Sequence, residues 1–120
     1  MTKTPSTTKI KRGDVVLVEV TFTSGAGFKH RPALVISSDT YNKNRGEVII
    51  AAITSNTQKL HEGDTLLEEW AKAGLKVPSL LTAIIQTVKK DRIKKRLGQT
   101  QGDDRKRAAE TLANILSFEM

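Results

Sequence analysis

A chain of 120 residues suffices for one compact domain and is too short for two, and its apolar content of 38% can form a single core. The absence of cysteine excludes disulfides and thiolate metal sites, and two histidines alone argue against an imidazole site, so we expect no metal and no other cofactor. The formal net charge of +7 favours a polyanionic partner, nucleic acid above all, while the few aromatic residues argue against the stacking platform that generic single-strand binders use.

The N-terminal residues 1–10 are rich in Thr, Ser and Lys and predict a flexible leader. They lack the apolar stretch of a secretory signal, and no part of the sequence has the roughly 18 apolar residues of a membrane span. We therefore expect a cytoplasmic protein without membrane contact, whose residues 11–120 form a single domain.

The first half of the domain predicts three strands. In DVVLVEVTF, which is rich in valine, apolar and polar residues tend to alternate. RPALVISS begins with an Arg-Pro step that holds Arg31 in extended geometry, and EVIIAAIT is mostly apolar. A Gly-containing loop with Phe28 at its tip joins the first two, and the Asp, Asn and Gly residues of DTYNKNRG suit a hairpin connection. The predicted strands therefore span residues 14–22, 31–38 and 47–54.

The second half predicts helices as well as strands. A short strand at 58–60 precedes TLLEEWAKA, a predicted inserted helix with Asp64 as its N-cap, Gly74 just past its end, and a core face formed by Leu66, Leu67 and Trp70. A strand is predicted at 80–88, followed at 89–98 by a basic turn with a short strand or helical turn. A terminal helix is predicted from the paired acids Asp103 and Asp104 onward. This order predicts a mainly β fold, a small curled sheet or barrel, with the terminal helix packed on the sheet or on a second subunit.

The predicted hairpin brings Arg31 and Thr54 together. In an antiparallel hairpin, one step back along the first strand pairs with one step forward along the second. A pairing of Ser38 with Glu47 therefore also places Arg31 opposite Thr54, with Cβ atoms about 4.5–5.5 Å apart. A guanidinium binds phosphate through two nitrogens and a hydroxyl can donate to a phosphate oxygen, so the pair suits a phosphodiester and the extra charge of its transition state. The alternative is a solvated arginine beside a hydroxyl-rich loop.

Five segments follow one another in a characteristic order. They are RGDVVLV, KHRPALVIS, EVIIAAITSN, EEWAKAGLKVPSLL and IIQTVKKDRIKKRLG, at 12–18, 29–37, 47–56, 68–81 and 84–98, and a helix closes the chain. In this order they resemble the MazF/PemK-like toxins of type II toxin–antitoxin systems. The resemblance covers the chain from about residue 12 to its end.

This resemblance implies a small SH3-like β-barrel with an inserted helix and a C-terminal helix, and a homodimer. It implies a metal-independent endoribonuclease that cuts single-stranded RNA, often mRNA, by attack of the 2′-OH to leave 2′,3′-cyclic phosphate and 5′-OH ends. The family's catalytic arginine and threonine correspond to Arg31 and Thr54. A cognate antitoxin with an acidic, partly disordered segment would neutralise the toxin, and the pair would bind DNA together.

Further candidate RNA contacts surround this pair. They are Phe28, Lys29, His30, Ser55, Asn56, Gln86 and Lys89, although Phe28 suits the core equally well and the polar residues suit backbone capping. The loop before the Arg-Pro step has no acid, so the general base of some family members has no counterpart. His30 is an alternative base, but strand alternation turns it away from Arg31. The base is therefore unassigned.

Two rival functions suit the same fold. The first is a non-enzymatic gyrase poison of the CcdB type, which would not depend on an Arg31–Thr54 pair. The second is a catalytically silent RNA-binding relative, which the missing loop acid keeps open. RNA cleavage that depends on Arg31 separates the nuclease from both.

Overall fold

The structure, a computed structural model, describes residues 9–21 and 27–118. The elements are β1 (Asp14–Thr21), β2 (Phe28–Val35), α1 (Asp39–Asn44), β3 (Glu47–Thr54), β4 (Thr65–Leu67), β5 (Ser79–Lys89), a 3₁₀ turn (Lys90–Arg92), β6 (Ile93–Gln99) and α2 (Gly102–Ile115). The predicted mainly β architecture with a C-terminal helix is confirmed. No helix in these two ranges has the length and apolar character needed to cross a membrane.

The strands form one antiparallel sheet in the order β4-β5-β3-β2-β1-β6. The β2–β3 ladder pairs Ala33 with Ala52, Leu34 with Ala51, and Val35 with Ile50. This is the register predicted from the hairpin, and it is confirmed for these three pairs.

The connection between β5 and β6 shows that the sheet is strongly curled. Only the three residues of the 3₁₀ turn join these strands, although β3, β2 and β1 lie between them in the sheet. In a flat sheet the two strands would be about 19 Å apart, four spacings of about 4.8 Å. A three-residue connection spans at most about 14 Å. The sheet therefore bends into a half-barrel that brings β5 and β6 together.

Two glycines allow close contact where the segment after β4 meets β6. Gly74 has a φ of 92°, and a Cβ at this position would lie 2.1 Å from the carbonyl oxygen of Leu97. A Cβ on Gly98 would lie 2.4 Å from the carbonyl oxygen of Ala73. Backbone therefore touches backbone on both sides of this contact, and neither position has room for a side chain.

We expect Gly98→Ala to lower the free energy of unfolding by about 1–3 kcal/mol, because the added methyl group must displace backbone rather than a flexible side chain. Urea denaturation followed by the fluorescence of the single tryptophan, Trp70, measures this. Gly46→Ala is the matched control, since a Cβ there meets no atom within 4 Å. Equal stability of the two variants would contradict the close contact.

Both faces of the sheet are buried in its middle. The helix-side core contains strand residues, two residues of the segment between β4 and β5, and two residues of α2: Val15, Leu34, Ala51, Ile53, Leu67, Ala73, Leu75, Leu81, Ala108 and Leu112. The opposite core contains Ile10, Val16, Val18, Ala33, Val35, Val48, Ile50 and Ile93. Neighbours in one strand thus enter different cores, which explains the nearly continuous apolar runs of the sequence.

The predicted leader falls mostly outside the described residues, which begin at Lys9. Ile10, its last residue, is buried in the opposite core. The packed part of the chain therefore includes residue 10.

The inserted helix predicted at 65–73 is wrong, because this segment forms strand β4 followed by turns. Burial alternates with a period of two: Thr65 and Leu67 are buried against β5, while Leu66 is exposed. Asp64 accepts a hydrogen bond from the His61 N–H at 2.8 Å and so closes a turn instead of capping a helix. Pairing with β5 has overridden a favourable helical pattern.

The backbone N–H groups of the two residues after β4 donate to a carboxylate that is distant in the sequence. Buried Asp104, in the first turn of α2, accepts hydrogen bonds from the backbone N–H groups of Glu68 and Glu69 at 3.0 and 2.7 Å. Arg107 donates to the same carboxylate and also to the carbonyl oxygen of Leu66 at 3.1 Å. This contact fixes the turn on the terminal helix.

Three further predictions need correction. The connection after β2 contains the short helix α1, whose N-cap Ser38 accepts a hydrogen bond from the N–H of Tyr41 at 3.1 Å. Residues 58–60 form no strand. β2 begins at Phe28, so this residue lies in the strand and not at a loop tip. The predicted end of the first strand at 22, and most of the following loop, lie outside the described residues.

Candidate functional site

Arg31 lies in β2 opposite Val18 of β1, and it is exposed. It lines a cleft of about 360 Å³, which we name the Arg31 cleft. The apolar walls of this cleft are Leu17, Pro32, Ile53, Leu75, Val77 and Leu97, and its polar members are Arg31, Ser55, Lys76, Ser79 and Lys95. The described lining residues include three cations and no carboxylate, so the cleft suits an anionic ligand with an apolar part.

Thr54 is the last residue of β3 and is half-buried. Its hydroxyl oxygen accepts a hydrogen bond from the backbone N–H of Asn56 at 3.1 Å. It lines a second cleft of about 440 Å³, which we name the Thr54 cleft, with Asn56, Lys59, His61, Glu62, Asp64, Thr82, Ala83 and Ile84. Its charged lining is one lysine, Lys59, and two carboxylates, those of Glu62 and Asp64.

The end of β3 separates the two clefts. Ile53 and Ser55 line the Arg31 cleft, whereas Thr54 and Asn56 line the other. The β2–β3 ladder ends at the pair of Ala33 with Ala52, two residues before both Arg31 and Thr54. The two residues thus stand at the same end of the sheet but line adjacent clefts.

A bulge in the sheet shapes the Thr54 cleft. The Thr82 hydroxyl donates to the carbonyl oxygen of Ala52 at 2.8 Å and accepts from the N–H of Ile84 at 3.1 Å. The β3–β5 register shifts at this point, between Ala51 and Ile53. Such a bulge redirects the side chains that follow it, and Ile84 is 68% exposed beside the cleft.

Phe28 and His30 form a small exposed aromatic pair. Their ring centroids are 5.8 Å apart, and Phe28 is 57% exposed, so it does not pack into the core. Strand alternation places these two rings on one face of β2, and Lys29 and Arg31 on the other. His30 is therefore turned away from Arg31.

The remaining predicted contacts are distributed over the sheet. Ser55 lines the Arg31 cleft and Asn56 the Thr54 cleft. Gln86 lies in the middle of β5 opposite Ile50, and Lys89 lies at its far end opposite Glu47. Neither Gln86 nor Lys89 lines either cleft.

The cleft residues that sequence reasoning missed include Lys76, Lys95 and His61. Lys95 belongs to the basic segment at 89–98, of which only Lys89 was a candidate RNA contact, and it lies in β6 and lines the Arg31 cleft with Leu97. The alternation within IKKRL was the available signal, because it places residues 95 and 97 on one side. His61 had no such signal, because a loop after β3 carries it.

Charge distinguishes the two clefts more clearly than shape. The side chains of Arg31, Lys76 and Lys95 form no ion pair with any described residue. The Thr54 cleft instead combines Lys59 and His61 with two carboxylates. In the described part of the chain, no three His, Asp or Glu side chains are close enough together to hold a metal ion.

Comparison with known proteins supports the resemblance found in the sequence. The model of a family described as PemK-like, MazF-like toxin of type II toxin–antitoxin system matches residues 11–116. No curated protein matches the chain.

Solved structures are similar over nearly their whole length. One is the MazE-MazF complex (Form-III) from Deinococcus radiodurans, with a TM-score of 0.74 and 22% identity, covering 91% of this chain and 97% of that chain. Another is an endoribonuclease from a mycobacterial species, with a TM-score of 0.73 and 18% identity over 93% and 95% of the two chains. A third is a mycobacterial endoribonuclease in complex with its cognate antitoxin, with a TM-score of 0.74 and 19% identity over 92% and 98%. At these identities the likeness establishes the fold.

Proposed function

Since this chain belongs to the PemK-like, MazF-like toxins of type II toxin–antitoxin systems, we propose that it is a metal-independent endoribonuclease that cuts single-stranded RNA. Similar solved structures carry the names endoribonuclease and MazF, which supports the activity. The observation that carries the proposal is the position of Arg31. Its guanidinium, which has no ion pair among the described residues, lines a cleft without carboxylates at the sheet end where Thr54 closes β3.

The proposed reaction is an internal transfer at phosphorus. The 2′-oxygen of one nucleotide loses its proton and bonds to the adjacent phosphorus, and the bond to the 5′-oxygen breaks as that oxygen gains a proton. The products carry a 2′,3′-cyclic phosphate and a 5′-OH. Arg31 binds the non-bridging oxygens and stabilises the charge that develops on them, and the Thr54 hydroxyl donates to the same group. DNA lacks the 2′-OH and is not cut.

Proton transfer requires a group other than Arg31, because a guanidinium does not give up its proton in proteins. Imidazole is the side chain most often used for this purpose. His61 lines the same cleft as Thr54, whereas His30 packs against Phe28 on the other face of β2. We assign the proton transfer to His61.

His61→Ala is expected to lower the single-turnover rate constant by about 10²-fold, the lower end of general acid–base contributions. For His30→Ala we expect a smaller effect, confined to KM. Single-turnover cleavage over a range of enzyme concentrations separates the rate constant at saturation from the half-saturating concentration. A His61→Ala enzyme with an unchanged rate constant would remove His61 from the mechanism and leave the assignment of Arg31 intact.

The proposed partners are a cognate antitoxin and a second copy of the chain. Two of the similar solved structures are complexes with antitoxins, and the net charge of +7 suits an acidic antitoxin segment. We place the activity in the cytoplasm, where the RNA substrate is found. Size-exclusion chromatography with light scattering tests the homodimer directly.

The test of the activity is incubation of the purified protein with a long single-stranded RNA in EDTA. Discrete fragments that end in cyclic phosphate support the proposal. RNA that stays intact over many sequences contradicts it and leaves the gyrase poison and the silent RNA binder. A gyrase supercoiling assay then distinguishes those two.

A further inference from the structure

The Arg31 cleft concentrates positive charge that nothing in the described structure neutralises. Arg31 comes from β2, Lys76 from the segment before β5, and Lys95 from β6. None of the three has an ion pair among the described residues. Three separate parts of the chain thus bring like charges to one cavity, which is unfavourable unless an anion binds there.

Lys95 differs from its two neighbours in the strand, because each of them forms an ion pair and Lys95 forms none with a described residue. Lys94 forms an ion pair with Glu19 at 3.5 Å, and Arg96 forms one with Asp14 at 3.1 Å. Lys95 stands between them in the same strand, facing the cleft without a carboxylate. The basic run of β6 therefore has two members paired with β1 and one that lines the Arg31 cleft.

The walls of the cleft suit a flat apolar group. Six apolar residues form them, and the volume of about 360 Å³ lies near the lower end of the 300–1,000 Å³ range of small-ligand pockets. Single-stranded RNA presents unstacked bases together with a charged backbone. A base against these walls and phosphates at the three cations would satisfy both properties.

We propose that the Arg31 cleft is a nucleotide subsite of the RNA-binding surface, an inference that rests on the proposed function. The base of the nucleotide beside the cleaved phosphate packs against the apolar walls, including Val77. Lys76 and Lys95 hold the phosphates that flank this nucleotide, and Arg31 holds the cleaved one. The strand leaves over the end of β3, since the carboxylates of Glu62 and Asp64 make the Thr54 cleft a poor site for further phosphates.

Binding of an uncleavable probe tests the two lysines. The probe is a short fluorescein-labelled RNA of mixed sequence with 2′-O-methyl groups throughout, and its Kd is measured by fluorescence anisotropy over a range of salt. Lys76→Gln and Lys95→Gln should each raise Kd about three- to tenfold and reduce the slope of log K against log salt by about 0.7, the value for one lost phosphate contact with a single strand.

Two matched controls carry the same change of charge. Lys72, paired with Glu69 at 3.6 Å, and Lys94, paired with Glu19, lie outside the cleft. Lys72→Gln and Lys94→Gln should leave Kd within about twofold of the wild type. If all four variants weaken binding equally, the effect is one of net charge and the subsite is wrong.

The packing of the nucleotide base against the apolar wall is tested by placing a charged side chain in that wall. Val77 is 47% exposed and Leu60, outside the cleft, is 56% exposed, so neither substitution disturbs the core. Val77→Glu should raise Kd more than about tenfold, because the new carboxylate repels the phosphates and the apolar contact with the base is lost. The control Leu60→Glu should change Kd less than about threefold. The wild type should also prefer the normal probe to one with abasic sites, and Val77→Glu should lose that preference.

The outcomes separate the subsite from the nuclease activity. If the lysine substitutions weaken binding of the uncleavable probe but natural RNA is not cleaved, the subsite is supported and the nuclease activity is contradicted. Cleavage of natural RNA with no specific effect of Lys76 and Lys95 retains the nuclease and contradicts the subsite. If these lysine variants bind RNA normally but lose binding to polyglutamate, the cleft is a site for an acidic peptide and the proposal is wrong.

Discussion

Arg31→Ala is expected to reduce RNA cleavage about 10³-fold, within the range found for removal of a group that stabilises transition-state charge. The reason is the absence of any other role for this side chain in the described structure. Arg31 is exposed, forms no ion pair with a described residue, and lines a cleft that holds no carboxylate. Its loss should therefore leave the fold intact and remove the charge that is proposed to bind the phosphate.

Three measurements give this prediction its controls. Arg45→Ala removes an arginine that pairs with Glu47 at 3.1 Å, at the end of β3 opposite to Thr54, and should leave cleavage unchanged. Arg31→Lys keeps the charge but loses the planar fork, and should restore only part of the activity. The thermal midpoint should match the wild type in all three variants. An Arg31→Ala protein that cuts RNA at the normal rate would show that Arg31 is a solvated strand-end residue.

The second large effect concerns stability. Asp104→Ala is expected to lower the free energy of unfolding by about 2–3 kcal/mol, because the buried carboxylate accepts two backbone hydrogen bonds and pairs with an Arg107 side chain that is partly exposed. It would leave Arg107 and the backbone N–H groups of Glu68 and Glu69 without their acceptor. Urea denaturation followed by Trp70 fluorescence measures the loss.

Asp103→Ala is the matched control, since Asp103 is the adjacent acid in the same helical turn and is exposed. It loses only a favourable interaction with the helix dipole, about 0.3–1 kcal/mol. Comparable losses in both variants would mean that the contact of Asp104 with the turn after β4 contributes little. Some other interaction would then have to hold that turn against the terminal helix.

The part of the fold that followed from the sequence depended on local pattern. β3 begins and ends where it was predicted, and its register with β2 is correct, because alternating residues and a connection of known length leave few alternatives. The same register placed Arg31 and Thr54 at one end of the sheet. The division of these residues between two clefts was not predictable, because it depends on the loops after β3.

Tertiary contacts decided the rest. Helical spacing of Leu66, Leu67 and Trp70 favoured a helix, but pairing with β5 and the carboxylate of Asp104 stabilise a strand and a turn. Lys95 reaches the Arg31 cleft because β6 pairs with β1, and Lys76 because the segment before β5 packs against β6. Residues so far apart in sequence share no pattern that reveals a common site.

The pairing of β1 with β6 has a consequence for synthesis on the ribosome. β1 is made early, yet its second neighbour in the sheet comes from residues 93–99, and the hydrogen bond between Asp14 and Gln99 closes 85 residues of chain. Long-range pairing of this kind forms late in folding. A nascent chain lacks Lys95 and the strand that covers one side of β1 until most of it has been translated. An incomplete translation product therefore lacks the complete Arg31 cleft, which forms only in a nearly finished molecule.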